Sequence, residues 1–289
     1  YPNTGARVSG VVTMRWAAVS AATNHTVLIE YSPDDGRLWS TIVNGASAAS
    51  GAYVWDSRPY GRSARARWRI TCREDESISE TSGRFILANG GTIGYYVNDS
   101  STNNDVYCTA PGSDENDGLT PDSPKAGLQA ILDAYELAPE DVVFVDAGTY
   151  MAGAPPILIN ETDSGWFDED FGSNRYVTIQ GSTNSAAPTT FIAPSFSTPY
   201  VFSLQYAVDV RLKDLTIRNA SIGVQAYQTI GCEFDNVRIE NNRSIGLNMD
   251  RSDGLRLVRS VLWKNSSSTG GVAVAMNESS LVVENSVLW

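Results

Sequence analysis

The chain has 289 residues, of which 42% are hydrophobic, and a formal net charge of -12 from 33 acidic and 21 basic residues. A chain of this length is typical of two domains, and its acidity repels nucleic acid phosphates and anionic membranes. We therefore do not expect nucleic acid as a partner. No apolar run of about 18 residues and no signal-peptide pattern occur in the sequence, so we expect no membrane span.

Short alternating segments fill residues 1–89, among them "HTVLIEYS", "GAYVWD" and "ARWRIT". Period-two alternation rich in Val, Ile, Tyr and Trp, broken by turns such as "SPDDG", is typical of an antiparallel β-sandwich. We expect four tryptophans to fill the space between the two sheets: Trp16, Trp39, Trp55 and Trp68.

Three motifs in this segment carry a family resemblance: "YSPDDGRLW" from Tyr31 to Trp39, "GAYVW" from Gly51 to Trp55, and "SGRF" from Ser82 to Phe85. Together they resemble the immunoglobulin-like or fibronectin-type modules of secreted bacterial proteins. The resemblance implies an immunoglobulin-like sandwich over residues 1–89 that acts as a spacer, a carbohydrate binder or a docking surface. A short glycine-rich linker is expected at residues 90–94.

The three cysteines, Cys72, Cys108 and Cys232, lie far apart and form no C-x-x-C pair. This spacing does not support a zinc site or a dense disulfide framework. We therefore expect buried free thiols, or at most one bridge.

One amphipathic helix is predicted at about residues 124–137. Leu128, Ile131, Leu132 and Tyr135 fall on one helical face, and Ser123 followed by a proline favours a helix start. The apolar strand "DVVFVDAGTY" follows. A single helix with one apolar face is expected to cover the N-terminal end of a β stack, where an open edge would recruit other strands.

Residues 210–289 repeat themselves with a period of 22 to 26 residues. Three sets of residues are predicted to occupy equivalent positions: Leu215, Val237, Val261 and Val287; Gly223, Gly246 and Gly271; and Phe234, Leu257 and Val283. Repeats of several short strands without helices predict stacked coils of parallel sheet. A leucine-rich repeat is the competing fold, but its leucine skeleton is missing. Asn219, Asn241 and Asn265 predict a stacked asparagine ladder at one turn.

The segments "GSDENDGLTPDSPKAGLQAILDA", "DVVFVDAGTY", "YVTIQGS" and "VRLKDLTIRN" resemble the pectate-lyase-like right-handed parallel β-helix proteins over residues 95–289. The predicted fold class is therefore all-β: an immunoglobulin-like sandwich, then a right-handed parallel β-helix with one N-terminal capping α-helix. Because the strand pattern stops at Trp289, we expect the β-helix to be truncated at its C-terminus. The resemblance implies many functions, from polysaccharide lyases and hydrolases to adhesins and non-catalytic surface proteins.

Catalytic motifs of this resemblance are incomplete. The only histidine is His25, in the first segment, so the G-H-G motif of the polygalacturonase-type hydrolases is absent. Basic residues lie on the predicted coils, yet none belongs to a recognisable lyase motif. Glycoside hydrolysis needs two carboxyl groups close together, and the densest acidic loop supplies a candidate carbohydrate-binding site: Glu161, Asp163, Trp166, Asp168 and Asp170. The alternative is a solvated loop.

A calcium site is the cofactor hypothesis. "SDENDG" and the residues after it offer Asp114, Asp117 and Asp122 as oxygen ligands, although the spacing fails the EF-hand rule. The alternative is a structural turn.

The function predicted from these patterns is that of a secreted or cell-surface protein that engages polysaccharide or acts as a rigid adhesive stalk. The first alternative is a polysaccharide lyase or glycoside hydrolase whose catalytic coils lie partly outside this chain. The second is a filament subunit that self-associates through its C-terminal coil.

Overall fold

A computed structural model describes residues 1–3, 6–17, 24–89, 92–152, 155–168, 173–266 and 270–289. The chain divides into two units, Tyr1–Ile93 and Gly94–Trp289. Within these described ranges, no helix has the length and apolar character needed to cross a membrane.

The first unit is made of β-strands. Its described strands are β1 (Arg7–Val8), β2 (Val11–Arg15), β3 (Thr26–Ser32), β4 (Ser40–Ser47), β5 (Ala52–Asp56), β6 (Ser63–Cys72), β7 (Ser79–Thr81) and β8 (Phe85–Leu87), with a 3₁₀ turn at Ala48–Ser50. One sheet has the order β1-β8-β6-β3-β4, with β7 also paired to β6, and a second sheet pairs β2 with β5. All pairs are antiparallel except β1 with β8. Membership of the immunoglobulin-like class stays a prediction.

Both sheets contribute to one apolar core, which includes Met14 from β2, Ile29 and Tyr31 from β3, and Trp55 from β5. Tyr31 and Trp55 pack ring to ring at 5.2 Å. Alternation along each strand turns every second side chain inward, so these short strands together enclose a continuous core.

The tryptophan prediction is confirmed for two of the four residues. Trp55 and Trp68 are buried in the core, whereas Trp16 packs at its margin and donates its indole N–H to the Ala48 carbonyl at 3.1 Å. The prediction is wrong for Trp39, which is partly exposed and lies 4.3 Å beneath the Arg69 guanidinium. A cation over the ring face stabilises an aromatic ring outside the core.

The second unit is a coil of short parallel strands. Its described elements are β9 (Gly94–Val97), α1 (Leu128–Ala134), β10 (Val142–Val145), β11 (Gly148–Met151), β12 (Ile157–Ile159), a 3₁₀ turn (Glu161–Asp163), β13 (Trp166–Asp168), β14 (Ser173–Arg175), β15 (Val177–Gln180), β16 (Thr189–Ile192), β17 (Tyr200–Gln205), β18 (Val210–Lys213), β19 (Leu215–Arg218), β20 (Ile222–Tyr227), β21 (Glu233–Asp235), β22 (Arg238–Glu240), β23 (Ile245–Asp250), β24 (Leu255–Val258), β25 (Val261–Trp263), β26 (Val272–Asn277), β27 (Leu281–Glu284) and β28 (Val287–Leu288). These strands form three parallel sheets, and β13 and β14 form a separate antiparallel hairpin.

Each complete coil contributes one strand to each sheet. The first sheet has the order β9-β10-β15-β18-β21-β24-β27, the second β11-β16-β19-β22-β25-β28, and the third β12-β17-β20-β23-β26. Inward side chains stack from coil to coil, as Leu212, Phe234 and Leu257 do with no exposed surface. The predicted all-β class with a parallel β-helix is therefore confirmed.

The corners of the coil are unusually tight, because a single residue with positive φ often ends a strand. After the first sheet these residues are Asp214, Asn236, Arg259 and Asn285; after the second, Asn219, Asn241 and Lys264; after the third, Tyr206, Gln228, Arg251 and Glu278. Left-handed backbone costs a non-glycine residue roughly 1–2 kcal/mol. Stacked hydrogen bonds at the corners must offset this cost.

The capping helix is present but shorter than predicted. It spans Leu128–Ala134, with Gly127 rather than Ser123 at the N-cap position. Lys125, just before it, forms a β-bridge instead. Its backbone N–H donates to the Tyr96 carbonyl and its carbonyl accepts from the Asn98 N–H, which adds Lys125 to the edge of β9. The predicted boundaries of 124–137 are therefore wrong at both ends, although Leu128, Ile131 and Leu132 form the buried face.

The asparagine ladder exists and includes Asn265 as predicted, but its partner is Asn242 rather than Asn241. Asn242 accepts from the Ala220 backbone N–H at 3.0 Å and donates to the Asn265 side chain at 2.9 Å. Both asparagines are buried. Asn219 and Asn241 instead occupy the left-handed corner position that precedes the ladder.

Candidate functional site

An open groove of about 600 Å³ lies on the outer face of the third sheet. It crosses β17, β20, β23 and β26, and its lining is mostly polar: Tyr200, Ser203, Gln205, Gln225, Tyr227, Asn248, Met249, Asp250, Ala275, Met276 and Asn277. Four successive coils therefore contribute to one continuous surface.

Strand alternation explains why polar groups line this face. Leu204, Ala226 and Met249 are aligned across neighbouring strands and are fully buried inside the coil. Residues on either side of each of them point outward. The outward side chains form two rows across the strands: Ser203, Gln225, Asn248 and Ala275, and Gln205, Tyr227, Asp250 and Asn277.

Hydrogen bonds between coils hold the polar side chains of the groove in place. The Asn248 amide donates to the Gln225 carbonyl oxygen at 2.7 Å, and the Asn277 amide donates to Asp250 at 2.8 Å. Within β17, the Gln205 amide donates to the Ser203 hydroxyl at 3.0 Å. Such links reduce the side-chain entropy that a ligand would otherwise have to remove on binding.

Tyr227 is the aromatic centre of the groove. Its hydroxyl accepts a hydrogen bond from Arg251, whose guanidinium lies 4.8 Å from the ring centroid, and the Tyr206 ring packs edge-on at 5.5 Å. Tyr206 itself is 47% exposed. A fixed ring beside amide groups offers an apolar face for C–H groups and polar atoms for hydroxyls.

The groove has few groups suited to acid–base chemistry. Asp250 is the one carboxylate among its lining residues, and it pairs with Arg251 at 3.5 Å. Hydrolysis of a glycosidic bond requires two carboxyl groups on opposite sides of the bond. Within the lining just described, the chemistry is that of binding through neutral hydrogen-bonding groups.

The predicted carbohydrate loop starts beside the N-terminal end of this groove. Ile159 of β12 pairs with Leu204 of β17, so Asn160 follows in line with Gln205, and Glu161 begins the next turn. Glu161 is exposed. Trp166 and Asp168 lie in the β13 strand of the hairpin, and Asp170 falls outside the described residues. The binding role of this group stays a prediction.

Asp163 has a structural position within that loop. It is 2% exposed and, with Asn160, forms a capping box on the 3₁₀ turn. Burial raises the pKa of Asp163 to about 6, against opposing hydrogen bonds from the Asn160 and Leu137 backbones. Its Oδ1 atom is buried without a hydrogen-bond partner. A carboxyl group in this state does not face a ligand at the surface.

The three carboxylates of the predicted calcium site do not converge. No set of three metal-ligating atoms within 4.8 Å of one another is found among Asp114, Asp117 and Asp122. The loop already encloses a cation, because the Lys125 ammonium donates to the carbonyl oxygens of Asp114 at 2.9 Å and Asn116 at 2.7 Å. Lys125 is buried, so its charge is part of the loop structure. Calcium binding stays a prediction.

The first sheet carries a different outer surface, a ladder of alternating charge. Arg211 donates to Glu233 at 2.7 Å, and Arg256 donates to Glu233 and Glu284 at 2.9 Å each. The hydrogen bond to Glu284 raises the pKa of Arg256. A lyase base must lose its proton readily, and a raised pKa opposes this. The arginines and glutamates of the ladder also neutralise one another, so this surface is not a basic cleft.

Comparison with known proteins gives fold likeness only. No protein-family model matches the chain, and no curated protein matches it. A rhamnogalacturonan lyase structure is 14% identical with a TM-score of 0.36 over 68% of each chain, and pectate lyase Pel9A is 16% identical with a TM-score of 0.41 over 68% of this chain and 54% of that one. Likeness at this level assigns no activity to the present chain.

Proposed function

We propose that this chain is a polysaccharide-binding part of a secreted or cell-surface protein, and that the groove on the third sheet is its binding site. The observation that carries the proposal is the pair of outward rows of amides, hydroxyls and one fixed tyrosine ring across β17, β20, β23 and β26.

The spacing of the rows supports a polymeric ligand. Neighbouring strands lie about 4.8 Å apart, which is close to the length of one sugar unit in an extended polysaccharide. A chain laid across the strands would therefore meet an equivalent side chain at each coil. Glu161, one coil further toward the N-terminus, is exposed and would extend the same site. The proposed site therefore includes the start of the predicted carbohydrate loop.

The lining also favours one class of sugar. Asp250 is the groove's carboxylate, and the chain as a whole is acidic at -12. Side-chain amides can both donate hydrogen bonds to neutral hydroxyl groups and accept hydrogen bonds from them. A polyuronate with a negative charge on every unit would be repelled. We therefore expect neutral polysaccharides to bind more tightly than polyuronates.

Isothermal titration with a panel of neutral and acidic polysaccharides tests the proposal. Tyr227→Ala should weaken binding at least about 10-fold, because the ring contact and a hydroxyl hydrogen bond together exceed about 1.4 kcal/mol. Asn248→Ala should weaken it roughly 2- to 12-fold, the equivalent of one net hydrogen bond. Tyr227→Phe separates the hydroxyl from the ring.

Thr216→Ala, on the outward face of the second sheet, is the matched control and should bind as the wild type does. If no polysaccharide in the panel binds, or if Tyr227→Ala binds as tightly as Thr216→Ala, the proposed groove is wrong. New unsaturated uronates or reducing ends in the same samples would show an enzyme and support the lyase or hydrolase alternative instead.

Self-association is a second candidate function, favoured by the last coil. Val283 and Leu288 occupy the inward rows of the first and second sheets, yet they are 44% and 40% exposed. A further coil would cover them, whether it comes from the continuation of this chain or from a second copy. Sedimentation velocity over a concentration series tests this, with Leu288→Ser expected to reduce any dimer that forms.

A further inference from the structure

Three metal-ligating side chains converge at one end of the first unit. A ring nitrogen of His25, the Cys72 sulfur and a Glu74 carboxylate oxygen all lie within 4.8 Å of one another. His25 immediately precedes β3, Cys72 ends β6, and the antiparallel register that pairs Val27 with Cys72 brings these strand ends together. Elsewhere in the described ranges, no three ligand atoms of His, Cys, Asp or Glu meet in this way.

The best-defined distance in the group fits a zinc ion. The Cys72 sulfur donates its proton to Glu74 Oε2 at 3.6 Å. With Zn–S of about 2.3 Å and Zn–O of about 2.0 Å, a tetrahedral ion places sulfur and oxygen about 3.5 Å apart. A metal ion could therefore replace the thiol proton with little movement of either atom.

The Glu74 carboxylate is already held in position by a neighbouring residue. The Thr26 backbone N–H donates to Oε2 at 2.9 Å, and the Thr26 hydroxyl donates to Oε1 at 2.9 Å. Hydrogen bonds of this kind orient metal ligands and strengthen binding.

Charge and exposure suit a divalent ion with one open position. A neutral imidazole, a thiolate and a carboxylate together carry two negative charges, which a divalent cation neutralises. Cys72 is buried while Glu74 is exposed, so an ion can enter from solvent and keep a water ligand. Cys108 and Cys232 are also buried, but neither lies in such a group among the described residues.

We propose that His25, Cys72 and Glu74 bind one Zn²⁺, with solvent as the fourth ligand, and that the ion ties the ends of β3 and β6 together. Binding forms the zinc–sulfur bond and releases the thiol proton to solvent, so one proton leaves for each ion bound. This site is independent of the groove. Cysteine spacing in the sequence argued against zinc, but the site needs only one cysteine.

The test is titration of the untagged, reduced full chain with Zn²⁺ and separately with Co²⁺. We expect one ion per chain and a sulfur-to-cobalt charge-transfer absorption band. Because His25 is the only histidine, a zinc-dependent shift of the imidazole resonances in NMR identifies it directly. Cys72→Ser should remove the charge-transfer band, while Cys232→Ser should retain it.

Two further variants make the test independent of folding defects at the buried cysteine. Glu74→Gln alters an exposed residue and should weaken zinc binding more than Thr26→Val, for which the expected loss is roughly 10- to 100-fold. The proposal is overturned if the wild type binds no zinc, if the imidazole resonances do not move, or if Cys72→Ser and Glu74→Gln bind zinc as the wild type does.

Discussion

The buried asparagine ladder provides a sharp stability prediction. Replacing Asn242 by alanine removes the acceptor of the Ala220 backbone N–H and the amide that donates to Asn265. Ala220 is fully buried, so its N–H is left without a partner. An orphaned buried donor costs about 1–3 kcal/mol, and loss of a further net hydrogen bond costs about 0.5–1.5 kcal/mol. Together these costs span about 1.5–4.5 kcal/mol, and we expect a loss in the lower half of that span, about 2–3 kcal/mol.

Hydrogen exchange measured by mass spectrometry localises this effect to the coils. A change of about 2–3 kcal/mol corresponds to roughly 30- to 150-fold faster exchange in peptides that span β19 to β25. Asn241→Gly is the matched control, since Asn241 is exposed and its positive φ suits glycine. The reasoning is refuted if Asn242→Ala exchanges like the wild type, or if Asn241→Gly is the more damaging change.

Three other predictions concern the β-helix. Gly246→Ala should destabilise the coil by about 1–3 kcal/mol in urea unfolding, since a Cβ there would lie 2.7 Å from the Ala273 carbonyl oxygen. Because the folded state binds the Asp163 proton more tightly than the unfolded state, the stability that this proton contributes is present below about pH 4 and lost as pH rises through about 6, amounting to at most about 3 kcal/mol. Asp163→Asn should flatten that pH dependence relative to the exposed Glu161→Gln control; equal slopes would contradict it. If calcium binds residues 113–122, it raises the melting temperature and Asp122→Asn removes the shift; an unchanged melting temperature in calcium counts against the site.

Much of the coil could be predicted from the sequence, because inward positions demand apolar residues at a regular spacing. Phe234, Leu257 and Val283 are aligned in the structure as predicted. In the second sheet, the predicted alignment of Val237 with Val261 is wrong by one residue, because Ser260 lies next to Val237 in the stack. Matching residues by apolar character missed Ser260, whose buried hydroxyl accepts from the Val237 backbone N–H at 3.1 Å.

The glycine repeat in the sequence located part of the groove but not all of it. Gly223 and Gly246 are equivalent positions, and counting two residues onward from each gives the paired amides Gln225 and Asn248. The same count from Gly271 fails, because the equivalent position in the next coil is Ala273. Loop length between coils varies, and only the backbone register shows which outward side chains become neighbours.

The predicted start of the capping helix was wrong because a tertiary contact determines it. Proline after Ser123 favours a helix start locally, yet the backbone of Lys125 is already used in pairing with β9. Tertiary hydrogen bonds outweigh a capping preference of about 1 kcal/mol. Local capping preferences could not show that a strand edge lay within reach of this segment.

The regular corners separate the residues that fold the coil from those available for binding. Buried ladder groups such as Asn242, Ser252 and Ser260 accept the backbone N–H groups of the preceding coil, while the outward rows contribute little to the core. In the outward rows of the first sheet, the charged side chains pair with one another. In those of the third sheet, amides and a tyrosine line an open groove. Substitutions in the third sheet's outward rows should therefore change binding without changing stability, and substitutions at the buried ladder positions should do the reverse. Measuring both quantities on Tyr227→Ala and Asn242→Ala decides whether this separation holds.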